Sequence, residues 1–403
     1  MFVIVGAGVA AATAADTLRA SGFDGRLVMI GQERDPPYNR PALSKERLRG
    51  QLADEQVFFH PRSYYDAKKI EVLTVETVAR IDLKARSVEL QSRGTLSYDK
   101  LLIATGAELR RLDAPGCDLA GLHYLRSLED CRRLHDVLQG RPRVLVVGTG
   151  FIGCEVAASA SMLGCEVTLA GNTAPLAHAL GPEVGDIYAG YHRSSGVAVR
   201  IGVSVVRFEG RERIERAVLS DETGVSCDVV IAGIGVMPVT NVLRGESIEM
   251  ENGIVVDELC RTSVPGVFAA GDVAAFWSPR YKTRMRLEHF DNAQNQAAVA
   301  AKAMLARDER YDPIPSFWSD QFSYRLQYRG FAPRWDDVVF RGNPREASFS
   351  AFYVRGGEVQ AVCSVNRYKE NYAARRLIGK RVEPKSLADD AVDVKELAAA
   401  QAS

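Results

Sequence analysis

Twice in this chain a short apolar run stops on a glycine-rich turn and resumes as a helix-forming segment. No other feature narrows the possible folds as far. The first copy reads Val3-Ile4-Val5-Gly6-Ala7-Gly8-Val9-Ala10-Ala11, a G-x-G-x-x-A pattern, with a helix expected over residues 10–20. The second reads Val144-Leu145-Val146-Val147-Gly148-Thr149-Gly150-Phe151-Ile152-Gly153, a full G-x-G-x-x-G, with a helix to about Leu163 and a strand over residues 166–170. Small residues let the backbone approach a pyrophosphate, and the helix N-terminus offers N–H groups and partial positive charge. One such motif is a weak signal, whereas two framed alike imply two bound nucleotides. Each copy is followed by a second apolar strand, Leu101-Leu102-Ile103-Ala104-Thr105-Gly106 and Val229-Val230-Ile231-Ala232-Gly233-Ile234-Gly235, so the chain contains an internal repeat.

Bulk properties set the class. The 403 residues suffice for two or three domains, and 46% hydrophobic with 25% charged residues describes an ordinary globular protein. Formal net charge is zero, which favours neither nucleic acid nor an anionic membrane. No apolar run approaches the roughly 18 residues needed to span a bilayer. With the first strand beginning at residue 2, the expectation is that no secretory signal is present. Seven cysteines without a C-x-x-C pair fit reduced thiols in a cytoplasm, and no metal site is expected.

Between the two fingerprints, Leu27-Val28-Met29-Ile30 reads as a buried strand leading to Gly31-Gln32-Glu33. An acidic residue about 20 positions beyond the glycines is where a ribose hydroxyl is held, which makes Glu33 the candidate, with Gln32 beside it. Prolines at 36, 37 and 41 stiffen the next loop, which is expected to aim Arg40 and Lys45 before a short helix at about residues 44–49. Residues 72–78 and 86–90 alternate like strands of a small antiparallel layer. From Thr262 to Asp272 a short strand ends in Gly271-Asp272, with a helix expected soon after. A carboxylate there can accept hydrogen bonds from a ribityl chain. The chain beyond about Phe322 alternates strand-like runs and closes on a helix over Val394–Ala400, as an antiparallel sheet with helices would.

The order of these motifs resembles that of the FAD-dependent, NADH-oxidising ferredoxin reductases that feed Rieske oxygenases and bacterial cytochromes P450. The resemblance rests on G-x-G-x-x-A, P-Y-x-R-P-x-L-S-K, A-T-G, G-x-G-x-I-G-x-E, R-T-S-x-P-x-V-F-A-A-G-D and F-W-S-D-Q, in this order and over essentially the whole chain. It implies an α/β protein with two Rossmann-like dinucleotide-binding domains, in a glutathione-reductase-like architecture, plus a C-terminal α+β interface domain. The FAD domain would be split over residues 1–111 and 246–321, the NAD(H) domain would occupy 112–245, and the interface domain 322–403. For cofactor contacts it implies Gly6, Gly8, Ala10, Ala11, Glu33, Arg40, Val78, Ala104, Thr105, Gly106, Arg126, Gly271, Asp272, Glu288 and His289 on the FAD side. On the NADH side it implies Gly148, Gly150, Phe151, Ile152, Gly153, Glu155 and Gly235. Catalytic roles fall to Lys45 near flavin N5, to Glu155 paired with Lys45 and orienting the nicotinamide, and to Trp318 at the edge facing the ferredoxin. NADH would reduce the flavin by proximity rather than acid–base catalysis, and electrons would leave singly to a two-iron two-sulfur ferredoxin.

Two departures matter. The loop Arg40–Ser44 and its neighbour Lys45 hold no cysteine, and none precedes Cys117, which argues against thiol redox chemistry. Cys154 and Cys165 read instead as small buried hydrophobes. Position 171, where an acidic residue would hold the NADH ribose, is Gly, and no Arg or Lys follows in Asn172-Thr173-Ala174-Pro175-Leu176. The expectation is NADH preference with weakened discrimination. A basic rim of Arg280, Lys282, Arg284 and Arg286 with Arg325, Arg329 and Arg334 is expected to steer an acidic ferredoxin. The rival reading is a flavoprotein like apoptosis-inducing factor that acts mainly by interaction; a rubredoxin reductase is a further one.

Overall fold

The computed structural model describes residues 1–400, which fall into two compact units. One comprises Met1–Ala42, Leu52–Leu109 and Val236–Pro313; the other comprises Leu43–Gln51, Arg110–Gly235 and the chain from Ile314 onward.

The first unit is built on a five-stranded parallel sheet in the order Val267–Ala269, Lys100–Ile103, Phe2–Val5, Leu27–Ile30, Ile70–Leu73. Phe2–Val5 and Leu27–Ile30 are buried at every position, as strands covered on both faces must be. Helices Val9–Ala20 and Phe290–Met304 pack on each other, and their alanines permit the close approach. Val78–Asp82, Ser87–Leu90 and Gly94–Ser97 form a separate antiparallel layer.

The second unit repeats the parallel sheet in the order Ala198–Ile201, Glu166–Gly171, Arg143–Val147, Val229–Ala232, Leu122–Tyr124. The repeat extends to register. Val5 lies opposite Ile103 in one sheet, and Val147 lies opposite Ala232 in the other, each pair just before its glycine turn. This unit also holds a five-stranded antiparallel sheet, Ser316–Gln321, Tyr324–Gly330, Glu358–Val365, Ser348–Arg355 and Asp337–Asn343. Phe352, Val354, Val362, Leu377 and Leu387 form its buried core.

Three local expectations need correction. The run over residues 72–78 is not one strand. Ile70–Leu73 joins the parallel sheet, the backbone then turns through Val75 at φ +56°, and Val78 starts the antiparallel layer. In place of a helix over residues 44–49, a 3-10 turn spans Arg40–Ser44 and hydrogen-bonded turns follow to Gly50, because Pro41 suits a first turn and the segment is too short to propagate further. No helix closely follows Gly271-Asp272. The hairpin Ala274–Ser278 and Thr283–Met285 intervenes, and the helix begins only at Phe290.

Candidate functional site

In each fingerprint the first glycine takes a backbone conformation closed to other residues. Gly6 has φ +120°, and a Cβ on it would lie 2.1 Å from the Ala104 carbonyl oxygen. Gly148 has φ +113°, and its Cβ would lie 2.3 Å from the Gly233 carbonyl oxygen. The middle glycines behave oppositely, since a Cβ on Gly8 or Gly150 would meet nothing within 4 Å. These two residues cap helices Val9–Ala20 and Phe151–Met162 with no side chain on the exposed N–H groups and no acid in the first turn. An open space facing bare helix N–H groups fits a pyrophosphate in both units. Gly153 closes the second motif, where any Cβ would sit 2.0 Å from the Gly148 carbonyl oxygen.

Around the first fingerprint the structure gathers most of the side chains expected to hold FAD. Arg40 donates to Glu33 at 2.8 Å and to the Tyr38 hydroxyl at 2.9 Å, and Tyr38 in turn donates to Glu33 at 2.5 Å. These bonds place one donor on each Glu33 oxygen, and each oxygen has a second lone pair to offer a ribose hydroxyl. Burial disfavours the Arg40 charge, but Tyr38, Glu33 and Asp272 outweigh it and hold the guanidinium charged more firmly than usual. Burial pushes the His289 imidazole down to about 4 against the pull of Asp272 and Asp291, so this ring is neutral near pH 7. Gly271 has φ +81°, and a Cβ there would contact the Cβ atoms of Ala10 and Ala293 at 3.3 and 3.5 Å. Its N–H donates to Gln296 Oε1 at 2.9 Å. Buried Ala11 lies in the helix, Thr105 donates to the Val239 carbonyl at 2.7 Å, and Gly106 turns the chain at φ +70°.

The other expected members lie on further elements, and Arg286 links Glu288 to the Asp272 carbonyl, to which it donates at 2.9 Å. Val78 is buried at the start of the antiparallel layer. Arg126 belongs to the second unit, where its N–H donates to Asp130 ahead of helix Leu128–Leu138. Glu288 pairs with Arg286 at 2.7 Å, Arg284 with Glu251 at 3.1 Å and Arg280 with Asp312 at 3.7 Å. Arg280, Arg284 and Arg286 of the expected basic rim thus each have a carboxylate partner.

In the second unit lies a buried polar knot centred on Glu155. Lys45 Nζ and Ser44 Oγ both donate to Glu155 Oε2, the lysine at 2.8 Å, while Ser319 Oγ donates to Oε1 at 2.8 Å. Glu155 and Lys45 are only 3% and 5% exposed, so their charges have no substitute in water. Glu155 reaches this position because it follows Gly150 on helix Phe151–Met162. Ser319 lies on strand Ser316–Gln321, whose odd positions 319 and 321 are buried while Trp318 is exposed. Asp320 is half-buried, and burial lifts its carboxyl above the usual range against the attraction of Lys45 and Arg325. Phe151 packs edge-on to Phe317 at 4.8 Å, Ile152 stays exposed, and Gly235 turns at φ +98°. Gly171 ends its strand with the Thr149 side chain 2.8 Å from where a Cβ would stand. Sequence reasoning missed Tyr38, Ser44, Ser319 and Gln296. Ser44 and Ser319 stand inside recognised motifs, but serine alone carries no signal of its partner.

Cys154, Cys227, Cys260 and Cys363 are buried, which pushes their thiols up and makes them poor nucleophiles. Among the described residues no helix is long and apolar enough to cross a membrane.

The profile of the pyridine nucleotide-disulphide oxidoreductase family matches residues 1–297, and the reductase C-terminal profile matches residues 316–398. The chain belongs to this family. It is 38% identical over 398 residues to the ferredoxin–NAD(+) reductase component of the anthranilate 1,2-dioxygenase system of Burkholderia cepacia, covering 98% of each chain. It is 35% identical to putidaredoxin reductase of Pseudomonas putida, covering 99% of this chain and 96% of the relative. The reductase in the covalent putidaredoxin reductase–putidaredoxin complex superposes with a TM-score of 0.96 at 35% identity, over 100% of this chain and 99% of that one. The protein is accordingly an FAD-dependent oxidoreductase that uses NAD(H), with two dinucleotide-binding folds and a C-terminal reductase domain.

Proposed function

We propose that this reductase carries electrons from NADH through FAD to a two-iron two-sulfur ferredoxin, in the cytoplasm, on behalf of a Rieske oxygenase or a cytochrome P450. The observation that carries the reading is the duplicated cradle, in which two capped helices with bare N–H groups face open space beside first glycines whose positive φ admits no Cβ. The names of the relatives, reductase components of oxygenase systems, support the partner class. Residues 1–111 with 246–321 form the FAD domain in this proposal, 112–245 the NADH domain and 322–403 the interface domain.

Bound FAD supplies the conversion between two-electron and one-electron chemistry. Gly6, Gly8 and Ala11 admit its pyrophosphate, Glu33 takes a ribose hydroxyl and Asp272 the ribityl chain. Gly148, Gly150 and Gly153 admit the NADH pyrophosphate. Glu155 orients the nicotinamide amide, and Lys45 balances the Glu155 charge while supplying the cation that favours a reduced flavin. Trp318, exposed on its strand, borders the exit toward the ferredoxin.

The test is NADH-driven cytochrome c reduction with a panel of purified ferredoxins, run in parallel with NADPH. At least one bacterial two-iron ferredoxin should accelerate the reaction, with kcat/KM higher for NADH than for NADPH by less than about a hundredfold, since Gly171 offers no carboxylate to hold the ribose or repel a 2′-phosphate. Failure of every ferredoxin refutes the partner, and a hundredfold NADPH preference refutes the cofactor.

A further inference from the structure

The Glu155 knot continues beyond the residues given roles above. Gln321 Nε2 donates to Ser319 Oγ at 3.0 Å, and Gln321 Oε1 lies 2.9 Å from His192 Nε2. His192 belongs to helix Ala177–Ser194, and its ring meets Phe322 edge-on at 5.4 Å. His192, Gln321 and Ser319 are all fully buried.

The chemistry of each member dictates the next. An ionised Glu155 can only accept, so Ser319 must spend its single hydroxyl proton on it. Ser319 Oγ can then only accept from the next group, so Gln321 must turn its NH2 toward the serine and its oxygen toward the histidine. His192 must therefore carry its proton on Nε2. Its Nδ1 has no hydrogen-bond partner among the described residues, and burial lowers the imidazole pKa despite the Gln321 contact, both of which suit the neutral Nε2–H tautomer. Every donor points the same way, and hydrogen bonds aligned in series polarise one another in a low-dielectric interior.

We propose that His192 and Gln321 are positioning residues of the NADH reaction, acting through Ser319 to fix the Glu155 carboxylate in one orientation. This rests on the role assigned to Glu155 above. Lys45 and Ser44 hold one oxygen of the carboxylate, the relay holds the other, and with both held the group cannot rotate. Neither His192 nor Gln321 is needed for NADH to bind, so losing the relay should slow the reaction without weakening binding.

The experiment compares wild type with His192→Phe, His192→Gln, Gln321→Leu and Glu155→Gln in anaerobic rapid mixing with NADH. It adds 15N NMR of the histidine rings in the resting FAD-loaded protein. With six histidines in the chain, His192 is assignable by its loss in His192→Gln. His192→Phe and Gln321→Leu should reduce the limiting rate of flavin reduction about tenfold, with the NADH Kd within about twofold of wild type. His192→Gln, which keeps an N–H donor, should recover most of the rate. The wild-type His192 resonances should report a neutral Nε2–H tautomer and should move in Gln321→Leu. Unchanged rates, a loss that His192→Gln fails to rescue, or an Nδ1–H tautomer would each overturn the relay. If His192→Phe does not fold, the His192→Gln rate and the wild-type tautomer still decide. A wild-type rate in Glu155→Gln would instead remove the role of Glu155 itself, while the tautomer separately reports whether the chain of hydrogen bonds exists.

Discussion

Lys45 and Glu155 sit so deep that neither charge tolerates the loss of its partner. Removing one member of a buried ion pair costs about 3–5 kcal/mol, because the other is left charged without water. Lys45→Met and Glu155→Leu should each lower stability by about that amount, and the double variant should recover much of the loss. Chemical denaturation of the three variants checks this, and additive losses would contradict it. His289 gives a second test. Its pKa falls from 6.5 to about 4 on folding, so the unfolded chain binds the extra proton between those values. Stability is therefore fully present above about pH 6.5 and declines as pH drops toward 4, by at most about 3 kcal/mol. The melting temperature should fall between pH 7 and pH 5 in wild type, and by a smaller margin in His289→Gln. An equal fall in both would show that His289 is not the group responsible.

The helix Ala177–Ser194 shows how an element can depend on one backbone angle. It breaks at Gly181, φ +85°, next to Pro182, and a Cβ at 181 would stand 2.7 Å from the Trp335 ring. Gly181→Ala combines a disfavoured conformation with this clash and should cost at least about 1–2 kcal/mol, read as a lower melting temperature. Because the helix carries His192, flavin reduction should slow in the same variant. The elements most legible in the sequence are those whose signal is local. Phe2–Val5, Arg143–Val147 and the helices after them follow from short apolar runs stopped by glycines. The turn at Val75 is not legible, since a β-branched residue at positive φ breaks a run that reads as continuous strand. The proline loop is half legible: its rigidity follows from composition, but its 3-10 form depends on packing that no local pattern records. His192 and Gln321 lie 129 positions apart and cannot be paired by any spacing rule, and the same holds for Ser319 and Glu155.

At the scale of the whole molecule, the repeated parallel sheets explain why one chain handles two dinucleotides. Each places its glycine turn at the carboxyl end of the central strand, where a doubly wound sheet leaves a crevice. The first unit takes segments from both sides of the second fingerprint, so Gly6–Ala11 and Gly271-Asp272 meet in one unit although far apart in sequence. Buried cysteines with raised thiol pKa values leave the electron path to the cofactors rather than to sulfur. The most direct test is anaerobic stopped-flow spectroscopy of the FAD-loaded protein, mixed first with NADH and then with an oxidised two-iron two-sulfur ferredoxin. Rapid bleaching of the flavin by NADH, followed by its reoxidation as the ferredoxin is reduced, is the predicted result. Slow bleaching, or a reduced flavin that no ferredoxin reoxidises, would contradict it.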